Sequence, residues 1–245
     1  MDPTARFSNR VENYVKYRPS YPDGILDTLR AECGLTPQSL IADIGSGTGI
    51  LAEMFLENGN TVYGVEPNRE MREAGERLLG HYARFTSIEG KAEATGLRDG
   101  SIDLISAGQA LHWFHLEAAR MEFQRILKPG GWVAIVWNDR RDESPFMQAY
   151  RQLLLRHSTD YLQVDHKRIT ADVLRTFYGP VFHHTMFDNH QVFDFEGIRG
   201  RLLSSSYVPL DNERMLEELR AIFAAHQQNG TVTFDYETTL YYGQL

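Results

Sequence analysis

The sequence predicts an α/β fold: an open, mostly parallel sheet covered by helices on both faces. Three observations carry that expectation. Short apolar runs alternate with longer stretches of helical periodicity. Glycine and proline punctuation separates them, at 45–49, 66–68 and 128–131. The 245 residues, 42% of them hydrophobic, are enough for one substantial core, since a chain of this size buries roughly three quarters of its unfolded surface.

Taken in order, Leu40-Ile41-Ala42-Asp43-Ile44 has the near-continuous apolar character of a strand buried on both sides, and it runs into Gly45-Ser46-Gly47-Thr48-Gly49. A helix over Ile50 to Glu57 follows, then the turn Asn58-Gly59-Asn60 and a second strand, Thr61 to Val65. Glu66-Pro67-Asn68 stops that strand before a charged helix, Arg69 to Leu79. The same grammar gives strands at Phe85 to Ile88 and Ile102 to Ala107, a helix from about Leu116 to Leu127, the turn Lys128-Pro129-Gly130-Gly131, and a fifth strand, Trp132 to Trp137. Strands joined by helical crossovers pair in parallel with right-handed connections, and ligands bind outside their carboxyl ends, where the strand order reverses.

Beyond Asn138 the pattern changes. Helices are expected near Pro145 to His157 and Thr170 to Tyr178, a β-rich stretch at Val181 to Phe195, and helices at Glu196 to Ser205 and Asn212 to Gln228. Thr231 to Tyr242 alternates β-branched and aromatic residues like a closing strand. No flexible linker interrupts the chain, so residues 1–245 read as one domain: an N-terminal lid over 1–39, a ligand-binding core over 40–138, and a cap with closing strands over 139–245.

Composition narrows the function. With 25 Lys+Arg against 33 Asp+Glu the net charge is −8, without a basic cluster, which argues against nucleic acid as a partner because phosphate contacts need clustered cations. Cys33 is the single cysteine; it permits no intramolecular disulfide and fits a reducing, cytoplasmic setting. The first residues carry no apolar run of signal length, and Trp132 to Trp137 is far too short to span a membrane. His183, His184 and His190 lack an accompanying carboxylate pattern, and adjacent strand residues point to opposite faces, so no metal is expected.

The chemistry concentrates at Asp43-Ile44-Gly45-Ser46-Gly47-Thr48-Gly49, where a strand becomes a helix. Glycines there let the backbone turn tightly and approach a ligand, and helix-start amides favour polar or anionic groups. Glu66 ends the next strand, 21 residues after Gly45, where a carboxylate accepts from ribose hydroxyls. A nucleoside-bearing cofactor is the expectation. Dinucleotide loops space their glycines G-x-G-x-x-G, whereas here they fall at 45, 47 and 49 with Asp43 close before them. A carboxylate at that point repels a pyrophosphate and suits an ammonium group or loop amides. The charge logic favours a zwitterion over NAD.

These segments resemble the class I S-adenosylmethionine-dependent methyltransferases, and specifically the small-molecule branch called methyltransferase type 11, which includes trans-aconitate and quinone C-methyltransferases. Ile41 to Gly49 is similar to the family's glycine loop, Gly64-Val65-Glu66-Pro67 with Met71 to its ribose-binding strand end, and Glu89 to Glu93 to its adenine-edge segment. Asp103-Leu104-Ile105 and Leu127 to Gly131 resemble the strands and turn that follow, so the likeness covers about Leu40 to Trp137. More weakly, Phe7 to Arg10, Tyr14, Arg18 and Tyr21-Pro22 resemble a segment that folds over the cofactor, Ala107 to Phe114 the branch's signature, and Leu203 to Tyr207 its cap helix. Lys91 departs from the pattern, because many relatives place an acidic or small polar residue there.

The resemblance implies a Rossmann-like seven-stranded sheet with one antiparallel strand, an N-terminal helical lid and a C-terminal helical cap. It implies S-adenosyl-L-methionine as cofactor, held by Tyr14, Arg18, Asp43, Gly45, Ser46, Gly47, Gly49, Glu66, Pro67, Met71, Ala92, Glu93 and Gln109, with Arg18 as the counter-charge to the methionine carboxylate. The acceptor is expected to be a small molecule contacted by Trp113, Asn138, Arg140, Ser206 and Tyr207, with His112 as a candidate general base where the attacked atom needs one. Two other readings share these features: an NAD-dependent oxidoreductase, and a non-catalytic module that binds S-adenosylmethionine or scaffolds a partner.

Overall fold

Alternating side chains on short apolar strands give the sheet two buried faces, and these set the architecture. The computed structural model describes residues 11–159, 161 and 169–245. Its seven strands are β1 (Leu40–Ile44), β2 (Thr61–Val65), β3 (Phe85–Ile88), β4 (Ile102–Gly108), β5 (Leu127–Arg140), β6 (His183–Phe193) and β7 (Val232–Gly243), in the order β3-β2-β1-β4-β5-β7-β6. The first five pair in parallel. β7 runs antiparallel between β5 and β6, so the mixed seven-stranded sheet agrees with the expectation. The order reverses beside β1: the chain moves out to β3 and returns to β4, placing the switch point at the carboxyl ends of β1 and β4.

On one face Ile41, Val62, Leu104, Ala134 and Val136 meet α2 (Gly24–Cys33) through Ile25, Leu26 and Leu29, and α3 (Ile50–Glu57) through Leu51 and Phe55. On the other, Ala42, Ile44, Val65, Ile105, Val133 and Ile135 meet α5 (Leu116–Ile126) through Ala119, Phe123 and Ile126, and α7 (Ala171–Tyr178) through Leu174 and Phe177. Sequence neighbours such as Ile41 and Ala42 therefore fall into different cores, as a period of two requires. A third core lies in the C-terminal part, where α6 (Pro145–His157), α8 (Phe195–Leu203) and α9 (Glu213–His226) pack Tyr150, Leu153, Ile198, Leu202 and Leu219 against Phe234 and Tyr236 of β7.

Two details place the site. β4 ends opposite Val136, whereas β5 continues to Arg140, paired there with Tyr236, so Asn138, Asp139 and Arg140 project past the carboxyl edge of the parallel strands. Helix α1 (Val11–Tyr17) lies against α8, where the Tyr17 ring occupies space that a Cβ at Gly200 would invade at 1.9 Å. The sequence predicts β5 from Trp132, but Leu127 already pairs with Ile102, and Lys128–Gly131 forms an irregularity between that pair and Leu104–Trp132. Lys128 stabilises it by reaching Asp103 at 2.8 Å. Of the segment expected as a lid, α1 borders the site, while α2 is a core helix with Ile25 and Leu29 fully buried. The expected site residues are all among the described ones; the resemblance over Phe7 to Arg10 lies outside them.

Candidate active site

The loop after β1 is built on three glycines in the left-handed region, Gly45 (φ 68°), Gly47 (φ 58°) and Gly49 (φ 91°), which residues with a Cβ rarely adopt. Gly45 and Ser46 donate their amides to the Val65 carbonyl at 2.8 and 3.2 Å, tying the loop to the end of β2. From that strand end Glu66 reaches back. Its Oε2 accepts from the Gly47 amide at 2.9 Å and its Oε1 from the Asn68 amide at 2.8 Å. Each oxygen retains a second lone pair. Burial pushes the Glu66 carboxyl up, opposed by those two amides and by Arg72. Asn68 then caps α4 (Arg69–Leu79) by accepting from the Met71 amide at 2.8 Å.

A cavity of about 510 Å³ opens beside this loop, within the range of small-molecule sites, roughly 300–1,000 Å³. Gly45, Gly47, Glu66, Pro67, Met71, Ala92, Glu93 and Gln109 line it, as do Tyr14 and Arg18. His112, Trp113, Asn138, Arg140, Ser206 and Tyr207 are also among its lining residues. Nearly all the expected residues are thus brought together at the switch point. Glu93 is steadied by accepting from the His115 amide at 2.7 Å. Gln109, itself left-handed at φ 56°, donates through Nε2 to the Asn138 carbonyl at 2.9 Å, joining the ends of β4 and β5. The His112 ring sits 4.3 Å from Trp113 and 5.0 Å, edge-on, from Trp137, within an aromatic wall.

Three expected contacts lie behind the loop instead of along the cavity. Asp43 is 1% exposed and accepts from Ser106 Oγ at 2.8 Å. Burial pushes its carboxyl up to about 7, against the pull of that hydroxyl. Ser46 faces Gly64 on β2, and Gly49 abuts Leu79, whose Cδ1 would lie 2.3 Å from a Cβ. These residues shape the loop from beneath.

Sequence reasoning missed Tyr161, Arg201 and Tyr236, which also line the cavity. Arg201 is 4% exposed. Its signal was present, a cation in register with Ile198 and Leu202 on the apolar face of a helix. Tyr236 is marked only by strand alternation, and the cavity face of β7 follows from the tertiary pairing with Arg140.

The residues fit the group that the resemblance implies. Arg18 Nε is buried without a hydrogen-bond partner, while Nη2 holds the Ser204 carbonyl at 3.0 Å. Burial and the nearby Arg201 charge both push the Arg18 guanidinium down. A cation in this position calls for an anion. Gly47 leaves an open cradle in which a Cβ would come 3.4 Å from Met71 Cε. Among the described residues no group of His, Cys, Asp and Glu could hold a metal ion, and no helix is long and apolar enough to cross a membrane.

Comparison with known proteins agrees with this geometry. Residues 42–135 match a family described as a methyltransferase domain. An uncharacterised methyltransferase of Geobacillus kaustophilus is 31% identical over 185 residues, covering 71% of this chain and 81% of that protein. An uncharacterised methyltransferase-like protein of Schizosaccharomyces pombe is 32% identical over 155 residues, covering 63% and 59%. The match spans about three-fifths of the length of the first curated relatives. A solved structure of a candidate type II methyltransferase from Anaeromyxobacter dehalogenans superposes with a TM-score of 0.72 at 22% identity over 93% of this chain and 98% of that one, a likeness of fold.

Proposed function

The chain belongs to the class I S-adenosylmethionine-dependent methyltransferase family, and from that membership we propose that it transfers a methyl group from S-adenosylmethionine to a small organic acceptor by in-line displacement. The observation that carries the reading is the continuity of one cavity, from the glycine loop and Glu66 to the overhang of β5. The lid, core and cap segments each contribute residues to its lining, which supports their acting as one unit over 1–245.

S-adenosylmethionine, when bound, supplies a methyl group on a sulfonium centre that is already a good leaving group. The remaining work belongs to the chain. Glu66 would accept from the ribose hydroxyls with its spare lone pairs, beside Pro67 and Met71, Ala92 and Glu93 would meet the adenine edge, the Gly45 and Gly47 backbone would admit the amino-acid portion, and Arg18 with Tyr14 would hold the carboxylate. Trp113, Asn138, Ser206 and Tyr207 seat the acceptor and exclude water. Positioning alone contributes several kcal/mol to such a displacement in favourable cases. A hydroxyl or carbon acceptor needs a base, the role assigned to His112; a carboxylate needs none.

Calorimetric titration with S-adenosylmethionine, S-adenosylhomocysteine and NAD in parallel tests this reading. The expected result is saturable binding of the first two and none of NAD. Glu66→Ala and Gly47→Val weaken it by separate routes, lost charge-assisted hydrogen bonds worth about 1.5–3 kcal/mol and a blocked backbone approach. NAD binding alone, or normal binding by both folded variants, overturns the assignment.

A further inference from the structure

Several arginines at the surface are paired with acids: Arg69 with Glu73, Arg156 with Glu218, Arg175 with Asp172, and the half-buried Arg141 with both Asp188 and Glu237. The arginines of the cavity are held differently. Arg18, Arg140 and Arg201 all line it, and none of them pairs with a carboxylate among the described residues. Tyrosines, serine hydroxyls and backbone contact them, and Asp139, next to Arg140 in the sequence, lines the same cavity. Arg140 Nη2 donates to the Tyr161 hydroxyl at 2.9 Å, with its guanidinium 5.2 Å from that ring. Arg201 Nε donates to the Tyr236 hydroxyl at 2.9 Å, and Nη1 to Ser205 Oγ at 3.2 Å, with Phe234 5.2 Å away. Arg18 stands 4.7 Å from the Tyr14 ring and shares Ser204 with Arg201.

Ring faces and hydroxyls orient a guanidinium but do not neutralise it, and removing cations from water without an anion is costly. A guanidinium has five donors in a planar fork that matches an oxyanion. Arg140 engages one of its nitrogens and Arg201 leaves Nη2 unengaged, so both retain donors for a ligand. Burial pushes the Tyr207 hydroxyl up, and Arg140, Arg201, a hydrogen bond with Ser205 and Arg18 together bring it below its ordinary value.

If Arg18 serves the cofactor carboxylate, as the proposed function holds, two positive charges remain on the acceptor side, Arg201 buried and Arg140 half-buried. We infer that the methyl acceptor is an organic acid, anchored between Arg140 and Arg201 by a carboxylate or phosphate oxyanion. This rests on the methyltransferase reading for the word acceptor, and on the cavity alone for the anion site. The anchor fixes one end of the molecule and sets the distance from it to the attacked atom, so chain length as well as charge selects the substrate.

The test is calorimetry with succinate, glutarate, tricarballylate and glycerol phosphate, each set against a neutral counterpart such as dimethyl succinate, with and without saturating S-adenosylhomocysteine. The expected result is saturable binding of at least one anion, absent for its neutral counterpart and weakening with salt, with the carboxylates and the phosphate distinguishing the two oxyanions. Arg140→Gln, checked for folding by circular dichroism, weakens that binding roughly 30-fold or more. Arg201→Lys, which keeps the charge in the buried position but loses the fork, weakens it less than Arg201→Gln. Equal binding of anions and neutral esters, no anion binding, or unchanged affinity in Arg140→Gln overturns the proposal. Failure of S-adenosylhomocysteine to bind contradicts the methyltransferase reading instead, and the titrations without it still decide the anion site.

Discussion

Asp43 and Glu66 are two buried acids with different tasks. Glu66 ends a strand at the cavity and hands its lone pairs to loop amides and to whatever lies beside them. Asp43 lies beneath the same loop, held by Ser106, and with a carboxyl raised to about 7 it binds a proton more tightly in the folded chain than in the unfolded one. Stability therefore falls as pH rises between the unfolded value near 4 and about 7, with a slope of up to roughly 1.4 kcal/mol per pH unit. Urea unfolding at pH 4.5, 6 and 7.5 checks this. The wild type is expected to lose stability relative to Asp43→Asn across the series, and a constant difference would remove the raised carboxyl from the account. At this scale the sequence was legible where spacing carries meaning, as in the Gly45, Gly47 and Glu66 set. It was silent on which side of the loop Asp43 faces, because that depends on the pairing of β1 with β4. Arg201 was hidden for a related reason: a cation on an apolar helical face stands out only once the cavity opposite is known.

Among the elements, the parallel strands were the easiest to read. Leu40–Ile44 and Thr61–Val65 fall where their apolar runs and flanking turns place them, because a largely buried strand has few alternatives, and Phe85–Ile88, a partly exposed strand at the sheet edge, falls where the alternation of strands and helices places it. β5 was read short, since a Lys-Pro-Gly-Gly turn can be absorbed into a strand as an irregularity when Leu127 pairs on its near side. Helix α5 shows what holds such a sheet. Phe123 is fully buried and meets Phe114 and Phe177 edge-on at 6.2 and 5.7 Å. Phe123→Ala is expected to cost about 3–5 kcal/mol by thermal unfolding, while leaving S-adenosylhomocysteine affinity within a few-fold in the folded fraction. A small loss of stability would mean that this face relaxes around the cavity left behind.

Across the whole molecule, the topology converts a sheet into a site. The reversal beside β1 opens a crevice, the overhang of β5 carries Asn138 to Arg140 beyond it, and α8 brings Arg201 and the Ser204–Tyr207 segment from the C-terminal part. Three arginines of a chain of net −8 line one cavity, together with Lys91 and the carboxylates Glu66, Glu93 and Asp139. That grouping could not be read from composition, because the three arginines are separated by 122 and 61 positions in the sequence. On the proposed reading these cations serve two anions in one space, Arg18 the cofactor carboxylate and Arg140 with Arg201 the acceptor.

A crystal structure of the complex with S-adenosylhomocysteine tests this division most directly. The ribose hydroxyls are expected on Glu66, the adenine beside Ala92 and Glu93, the homocysteine carboxylate at Arg18, and the sulfur facing an open space bounded by Arg140 and Arg201. A homocysteine carboxylate seated on Arg140 and Arg201, or a ligand that leaves Glu66 untouched, would contradict it.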